Sequence, residues 1–173
     1  GHGSPMEDDT PRPDVIPGGQ KVVLHGLKTA QHNGKIANVV SYDEAKQRYV
    51  VHLQDGETMA LKETNLQQII DGVRIFGLAS KPEWNGKTGT IIMFSPENER
   101  YQVRLSDGAV AALKPANVIL PNGTRVKITG LSSAAQYNGK WAQIESRDDS
   151  SGRYNVRMHG DKVLALKPEN CHA

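Results

Sequence analysis

Trp84-Asn85-Gly86-Lys87-Thr88-Gly89-Thr90-Ile91-Ile92 is the stretch that decides the fold, because its pattern occurs three times in the chain. Its first four residues have counterparts at 32–35 (His-Asn-Gly-Lys) and 137–140 (Tyr-Asn-Gly-Lys). In each copy an Arg-Tyr pair begins 14 residues after the glycine, a lysine follows 14 residues after that arginine, and an asparagine stands three residues later. Equal spacing of this kind indicates a triple repeat, here with a period of about 52 residues.

The repeat divides the 173-residue chain into four parts. Short apolar segments before Gly18-Gly19, Asp71-Gly72 and Asn122-Gly123 occupy the same place and open each repeat. We therefore predict repeats at residues 14–66, 67–117 and 118–173. Prolines and an acidic run in residues 1–13 predict a disordered tail, and we interpret residues 1–5 as a tag remnant.

Apolar and polar residues alternate within each repeat, which is typical of half-buried strands. In the second repeat Val73 and Ile75 face one way, and Ile91 is predicted to point inward with the small residue Gly89 two positions earlier, where another backbone approaches closely. Five short strands with dense turn signals in about 50 residues predict a small antiparallel barrel. The short connections favour packing of the three barrels against one another.

The recurring series Gly-Leu, Asn-Gly-Lys, Arg-Tyr-x-Val and Leu-Lys-Pro-x-Asn resembles the SH3-like repeats of eukaryotic multidomain interaction proteins, a group of small barrels that includes Tudor-like ones. The segment from Val73 to Ile91 is also similar to the KOW motif of ribosomal and transcription-elongation proteins. The predicted fold is thus all-β, with three tandem SH3-like five-stranded antiparallel barrels packed in a semi-rigid row. The resemblance covers about 155 residues and implies interaction modules rather than enzymes.

Composition narrows the class of protein. The mean hydropathy is −0.53, and no apolar run approaches the ~20 residues that span a bilayer. The single cysteine, Cys171, is consistent with a reducing compartment, so we expect a cytoplasmic or nuclear, monomeric protein that is not secreted. The histidines lack metal-ligand spacing and no phosphate-binding glycine loop is present. We therefore predict no enzymatic activity, no metal and no cofactor.

One position before each Asn-Gly carries a ring, as His32, Trp84 or Tyr137. Such a ring could stack on a proline, a methylated lysine or a base, or it could close one end of a thin core over the leucine of Gly-Leu. Both interpretations stay open, with Trp84 the best candidate for exposure. By contrast, Tyr49, Tyr101 and Tyr154 share the inward register with valine and leucine, which favours core anchors.

Recurring cations form the last candidate site. Residues 20–173 carry 20 basic and 15 acidic side chains, an excess that permits polyanion binding. The cations could form a basic stripe or, as we favour, pair with nearby acids on a solvated surface. The candidates that recur on the turn and on the Arg-Tyr strand are Lys87, Arg100, Arg104, Arg153 and Arg157.

Two functions remain. The first is a protein-interaction or scaffold module that recognises a protein or peptide segment through the ring positions, Trp84 foremost, and weak contacts from three repeats would add together. The alternative is an RNA-binding protein that uses the arginine strands, in which case binding should fall steeply with salt. A purely architectural role is a third possibility that the sequence does not separate from the first.

Overall fold

A computed structural model of the protein describes residues 12–173, so the predicted tag remnant and nearly all of the predicted tail lie outside the described residues. The described part contains fifteen short strands and six 3-10 turns of three residues each. The prediction of an all-β fold with three five-stranded antiparallel sheets is confirmed. Within residues 12–173 there is no α-helix, and no 3-10 turn has the length and hydropathy to cross a membrane.

Each sheet takes its strands from one stretch of chain. Sheet 1 has the order β4-β3-β2-β1-β5, with β1 Lys21–Leu24, β2 Ile36–Asp43, β3 Arg48–Leu53, β4 Thr58–Leu61 and β5 Leu66–Gln68. Sheet 2 has the order β10-β6-β7-β8-β9, with β6 Ile70–Ile75, β7 Thr88–Ser95, β8 Arg100–Leu105, β9 Val110–Leu113 and β10 Val118–Ile119. Sheet 3 has the order β14-β13-β12-β11-β15, with β11 Arg125–Ile128, β12 Trp141–Arg147, β13 Tyr154–Met158, β14 Val163–Leu166 and β15 Cys171–His172.

The fifth strand of each sheet follows the recurring asparagine. In sheet 2 the 3-10 turn Pro115–Asn117 redirects the chain after β9, and Val118 then pairs with Ile75 of β6. Residues 118–119, which open the third predicted repeat, therefore pair within sheet 2. In the same way Cys171 pairs with Ile128 and closes sheet 3.

The predicted inward residues form the cores. The two alternating apolar residues of β1, β6 and β11 are fully buried, and the three tyrosines are at most 1% exposed, which confirms them as core anchors. The close backbone approach at Gly89 is also confirmed, because a Cβ there would lie 2.8 Å from the carbonyl oxygen of Arg104 and 2.8 Å from Cγ1 of Val103. Sheet 1 has a core cluster of its own, whereas the cores of sheets 2 and 3 form one continuous cluster.

Gly19, Gly72 and Gly123, which follow the opening segments of the repeats, all have a positive φ, but the local structure around them differs. Gly19 and Gly123 lie in turns that contain a proline, and their N–H groups donate to the carbonyls of Val39 in β2 and Ile144 in β12. Asp71-Gly72 instead lies inside β6, where the register shifts between Ile70 and Val73. A β-bulge thus replaces the turn, because the second repeat has no proline at the corresponding position and its first strand starts directly after β5.

The buried tyrosine hydroxyls anchor the segments that connect the sheets. Tyr154 of sheet 3 accepts a hydrogen bond from Leu120 N–H (2.8 Å) and donates to the carbonyl of Val118 (3.1 Å). Tyr101 of sheet 2 reciprocates, accepting from Ala173 N–H (3.0 Å) and donating to the carbonyl of Cys171 (3.3 Å). Sheets 2 and 3 therefore exchange contacts in a two-fold manner, each tyrosine holding the closing strand of the other sheet.

Candidate functional site

The asparagine of each Asn-Gly turn has a structural role. Asn85 Oδ1 accepts a hydrogen bond from Leu78 N–H (2.8 Å), and its Nδ2 donates to the carbonyl of Leu78 (3.0 Å). Gly86 follows at φ +86°, a conformation that glycine adopts without strain. The bidentate bond explains why Gly-Leu recurs at fixed spacing from Asn-Gly. The same pair of bonds joins Asn33 to Leu27 and Asn138 to Leu131.

The asparagine near the end of each repeat is also structural. Asn117 Nδ2 donates to the carbonyl of Phe76 at 3.1 Å, and a Cβ on Gly77 would lie 3.4 Å from that nitrogen. This bond ties the closing 3-10 turn to the end of the first strand. Asn65 and Asn170 make the equivalent bonds to His25 and Thr129. The residues that recur most regularly thus build the fold.

The predicted ring positions occupy equivalent places. Each of His32, Trp84 and Tyr137 is the last residue of a 3-10 turn and is half-buried. Trp84 and Tyr137 pack against the core cluster of sheets 2 and 3 together with Leu78 and Leu131. Each of these two rings therefore packs at the end of a core, as one of the two interpretations expected, and leaves part of its surface exposed; stacking on a ligand stays a prediction.

The three rings differ in what covers them. His32 Nε2 lies 3.8 Å from Glu57, and Lys162 Nζ lies 5.7 Å from the centre of the Tyr137 ring. Glu57 and Lys162 occupy equivalent positions, directly before the last strand of the meander, and sheet 2 has Ala109 there. An alanine side chain is too short to cover a ring. Trp84 is instead approached by Lys81 of its own loop, whose Nζ is 5.3 Å from the ring centre.

The predicted cations divide into two groups. Arg157 is neutralised by Glu145 at 3.0 Å and by Asp161 at 3.5 Å, and Arg153 donates to the carbonyl of Ala165 at 3.3 Å. Such pairing is the solvated surface that we favoured. Lys87, Arg100 and Arg104 differ, since none of them has a carboxylate within 4 Å or a side-chain hydrogen bond among the described residues. Of the five candidate cations, the three without such a partner therefore belong to the second repeat.

A cleft between sheets 1 and 3 was not predicted. Two adjoining hollows of about 470 and 660 Å³ share Tyr42, Glu63 and Trp141 in their walls. Beside them, the Arg125 guanidinium stacks on the Trp141 ring at 3.6 Å and lies 3.3 Å from Glu63, and burial lowers the pKa of Arg125. The available signal was Trp141 itself, a large ring at an outward strand position where the other repeats have Ile36 and Thr88.

Two further observations concern metal binding and the thiol of the described residues. Among the described residues no group of three His, Cys, Asp or Glu side chains could hold a metal ion. Burial raises the pKa of the Cys171 thiol to about 12, which disfavours the thiolate needed for nucleophilic attack. No protein-family model matches the chain, and no curated protein matches it either. The geometry of sheet 2 is therefore the main guide to function.

Proposed function

We propose that the protein is a non-enzymatic interaction module built of three SH3-like repeats, and that it recognises a segment of another protein. The support is architectural. In each repeat the recurring glycines, asparagines and tyrosine build the fold. The exposed residues around this common framework differ from repeat to repeat. Small barrels with such a division host many binding functions, so the choice depends on the site.

The observation that carries the proposal is the environment of Trp84. Its ring is held by a 3-10 turn on a packed core, and the following hairpin presents Ala109 where the other two repeats present a charged side chain. A rigid, partly exposed tryptophan offers a large contact area with little loss of side-chain entropy on binding. The ammonium of Lys81 lies 5.3 Å from the ring centre, and Lys87 follows three residues after Trp84, where its N–H donates to the Trp84 carbonyl at 3.1 Å. Both lysines would contact polar or acidic groups of the bound segment.

The test is a selection of a random 12-residue peptide library on the intact protein, followed by calorimetric titration of the selected peptides. We expect Trp84→Ala to weaken binding at least about 10-fold, the usual effect of removing an aromatic hot spot. Tyr137→Ala, at the equivalent turn, is the matched control and should change affinity less than about 3-fold. Thermal melts of both variants would show that the fold is retained. Selected peptides that bind the Trp84 variant as tightly as the unchanged protein would refute the site.

RNA binding is the second candidate, and the unpaired Lys87, Arg100 and Arg104 are the observation that favours it. Fluorescence anisotropy of labelled single-stranded RNA and duplex DNA at about 50 and 200 mM salt tests it. If these three cations each contact a phosphate, affinity for single-stranded RNA should fall by about 20-fold over that range. Arg153 and Arg157, which already have partners, would contribute less. Absence of binding at both salt concentrations would exclude this candidate.

A further inference from the structure

The strand β9 is an open edge of sheet 2. It is the last strand in the sheet order, and its only ladder is to β8. Leu105 N–H donates to the carbonyl of Ala109 at 2.8 Å, so the hydrogen-bonded pairs continue at Val103 with Ala111. In an antiparallel ladder the residues between these pairs direct their N–H and C=O groups away from the partner strand. The backbone groups of Val110 and Ala112 therefore face outward.

The side chains of this edge are apolar. β9 reads Val-Ala-Ala-Leu and has no charged residue, and Val110 is 51% exposed. Natural edge strands commonly carry charges, bulges or a covering segment that block pairing with another chain. Here the only such feature is the proline after Lys114, which ends the strand. An extended segment could thus add to β9 and bury Val110 and Ala112 without desolvating a charge.

Unpaired cations surround the same edge. Arg104 lies directly opposite Val110 in the ladder and is exposed, and Arg100 and Lys114 lie near the other end of β9. None of the three has a carboxylate within 4 Å among residues 12–173. β9 has no carboxylate, so a second copy that paired through this strand would not neutralise these cations from the added strand. An acidic segment would, and charge complementarity therefore favours an acidic segment over a second copy of the chain.

The equivalent edge of sheet 3 is blocked. In β14 the outward carbonyl of Ala165 accepts a hydrogen bond from Arg153, and Arg157, which corresponds to Arg104, is paired with Glu145 and Asp161. In sheet 1 the position of Arg104 is occupied by His52, whose Nδ1 is 3.4 Å from the hydroxyl of Thr58. The edge of sheet 1 shares the lysine, as Lys62, but has no arginine beside it at that position. Of the three equivalent edges, β9 is thus the one that combines outward backbone groups without a side-chain partner with an exposed arginine, Arg104, that has no carboxylate partner among the described residues.

From this combination we propose that β9 binds an extended acidic segment of a partner protein by strand addition. This inference rests on the proposed protein-recognition function and names the chemistry of the partner. Backbone hydrogen bonds to Val110 and Ala112 supply the pairing. The carboxylates of the segment lie on the sheet face that carries Arg104 and Lys114, and its alternate apolar residues lie on the opposite face, beside the buried Ala111 and Leu113. Trp84 lies in the 3-10 turn before β7, whose equivalents His32 and Tyr137 are approached by the residues at the position of Ala109, and a segment on β9 would extend towards this ring.

The probe is a synthetic eight-residue peptide of alternating valine and glutamate, titrated into the full chain by calorimetry. A peptide with N-methyl groups on alternate backbone amides retains the side chains but cannot pair, so it should bind at least about 10-fold more weakly. Lysine in place of glutamate should weaken binding by a similar factor through repulsion from Arg104 and Lys114. Equal binding of the N-methylated peptide would overturn strand addition.

Variants of the protein use the repeats as controls. Ala112→Pro removes an outward N–H without breaking the ladder to β8 and should reduce binding at least about 10-fold, whereas Ala165→Pro in β14 should leave it unchanged. Arg104→Glu against Arg157→Glu gives the same contrast for charge and remains informative if a proline variant unfolds. Loss of binding in both members of either pair would overturn the proposal.

Trp84→Ala separates this inference from the proposed function. If Trp84→Ala abolishes binding of the library-selected peptides while Ala112→Pro retains it, the protein-recognition function stands and strand addition at β9 is overturned. If Ala112→Pro abolishes binding of the valine-glutamate peptide, the inference is supported whatever the contribution of Trp84. If neither Trp84→Ala nor Ala112→Pro weakens binding of the library-selected peptides or of the valine-glutamate peptide, both proposals fail.

Discussion

Sheet 3 is joined to sheet 2 and to sheet 1 by different physical means. Towards sheet 2 it shares one apolar cluster, and Tyr101 and Tyr154 each hold the closing strand of the opposite sheet through buried hydrogen bonds. Towards sheet 1 the contact is polar. The Arg125 guanidinium donates to the carbonyl of Asp14 at 2.9 and 3.1 Å and lies 3.3 Å from the Glu63 carboxylate. The backbone carbonyl of Arg125 accepts a hydrogen bond from the side chain of Gln68. The cores of sheets 1 and 3 are separate.

The difference shows that one repeated sequence can form two kinds of junction. We call the junction between sheets 2 and 3 the reciprocal junction, because each sheet contributes a tyrosine that contacts the closing strand of the other. It buries apolar residues and backbone of both repeats. In sheet 1 the equivalent tyrosine, Tyr49, is instead occupied by the segment that precedes its own sheet, through the N–H of Ile16 at 3.0 Å. We therefore expect sheets 2 and 3 to unfold as one cooperative unit and sheet 1 to be less tightly coupled.

Tyr154→Phe should have the largest effect on this comparison. It leaves the N–H of Leu120 and the carbonyl of Val118 buried without a partner, and each such group costs about 1–3 kcal/mol. We expect the free energy of unfolding in urea to fall by about 2–3 kcal/mol. Tyr49→Phe, which removes one backbone bond, is the matched control and should cost about half as much. Equal losses in the two variants would contradict the distinction between the junctions.

Arg125→Met should have a smaller effect. Methionine can still pack on the Trp141 ring, and the replacement removes the cost of burying a guanidinium. The carboxylate that loses its partner, Glu63, is 37% exposed and can be hydrated, so the change does not leave a buried charge unpaired. We expect the free energy of unfolding to change by no more than about 1 kcal/mol. Arg125→Ala, which also removes the stacking atoms, should be more destabilising. A loss above about 2 kcal/mol for the methionine variant would mean that the polar contacts carry this junction.

Lowering the pH should weaken the reciprocal junction, with the smallest effect of the three. His172 stacks on Phe94 at 4.4 Å between ring centres, and burial lowers its pKa, although Glu99 and Glu169 act in the opposite direction. Lys114 also borders the crevice of about 290 Å³ beside it. A lowered pKa means that His172 binds a proton less readily in the folded protein than in the unfolded chain. The free energy of unfolding therefore rises with pH between the lowered pKa and the ordinary value of about 6.5.

The measurement is urea unfolding at several pH values between about 5 and 7.5. His172→Ile introduces the residue that stands at the equivalent position in β10, Ile119, and should reduce the dependence of stability on pH in this range. An unchanged dependence would show that other groups cause it.

The sequence was a good guide to the framework and a poor one to the site. Alternation identified the buried faces, and tyrosines in the inward register were expected to be buried. The roles of Asn85 and Asn117 were missed, because an amide side chain in a turn gives no indication of its distant backbone partner. The ring positions were found by their recurrence. Which charged residue approaches each ring was not, because Glu57 and Lys162 come from a different hairpin whereas Lys81 belongs to the loop of Trp84 itself.

By itself the sequence determined the number of repeats, the strand-rich fold and the inward register, because these follow from local periodicity and from turn residues such as Gly86. Only the tertiary structure decided which tyrosine hydroxyl holds which closing strand, that Arg125 is buried, and that Arg104 lacks the carboxylate partners that neutralise Arg157. Many of those features join residues more than 30 positions apart, and side-chain partners over such distances are set by how the sheets pack, which no local pattern encodes.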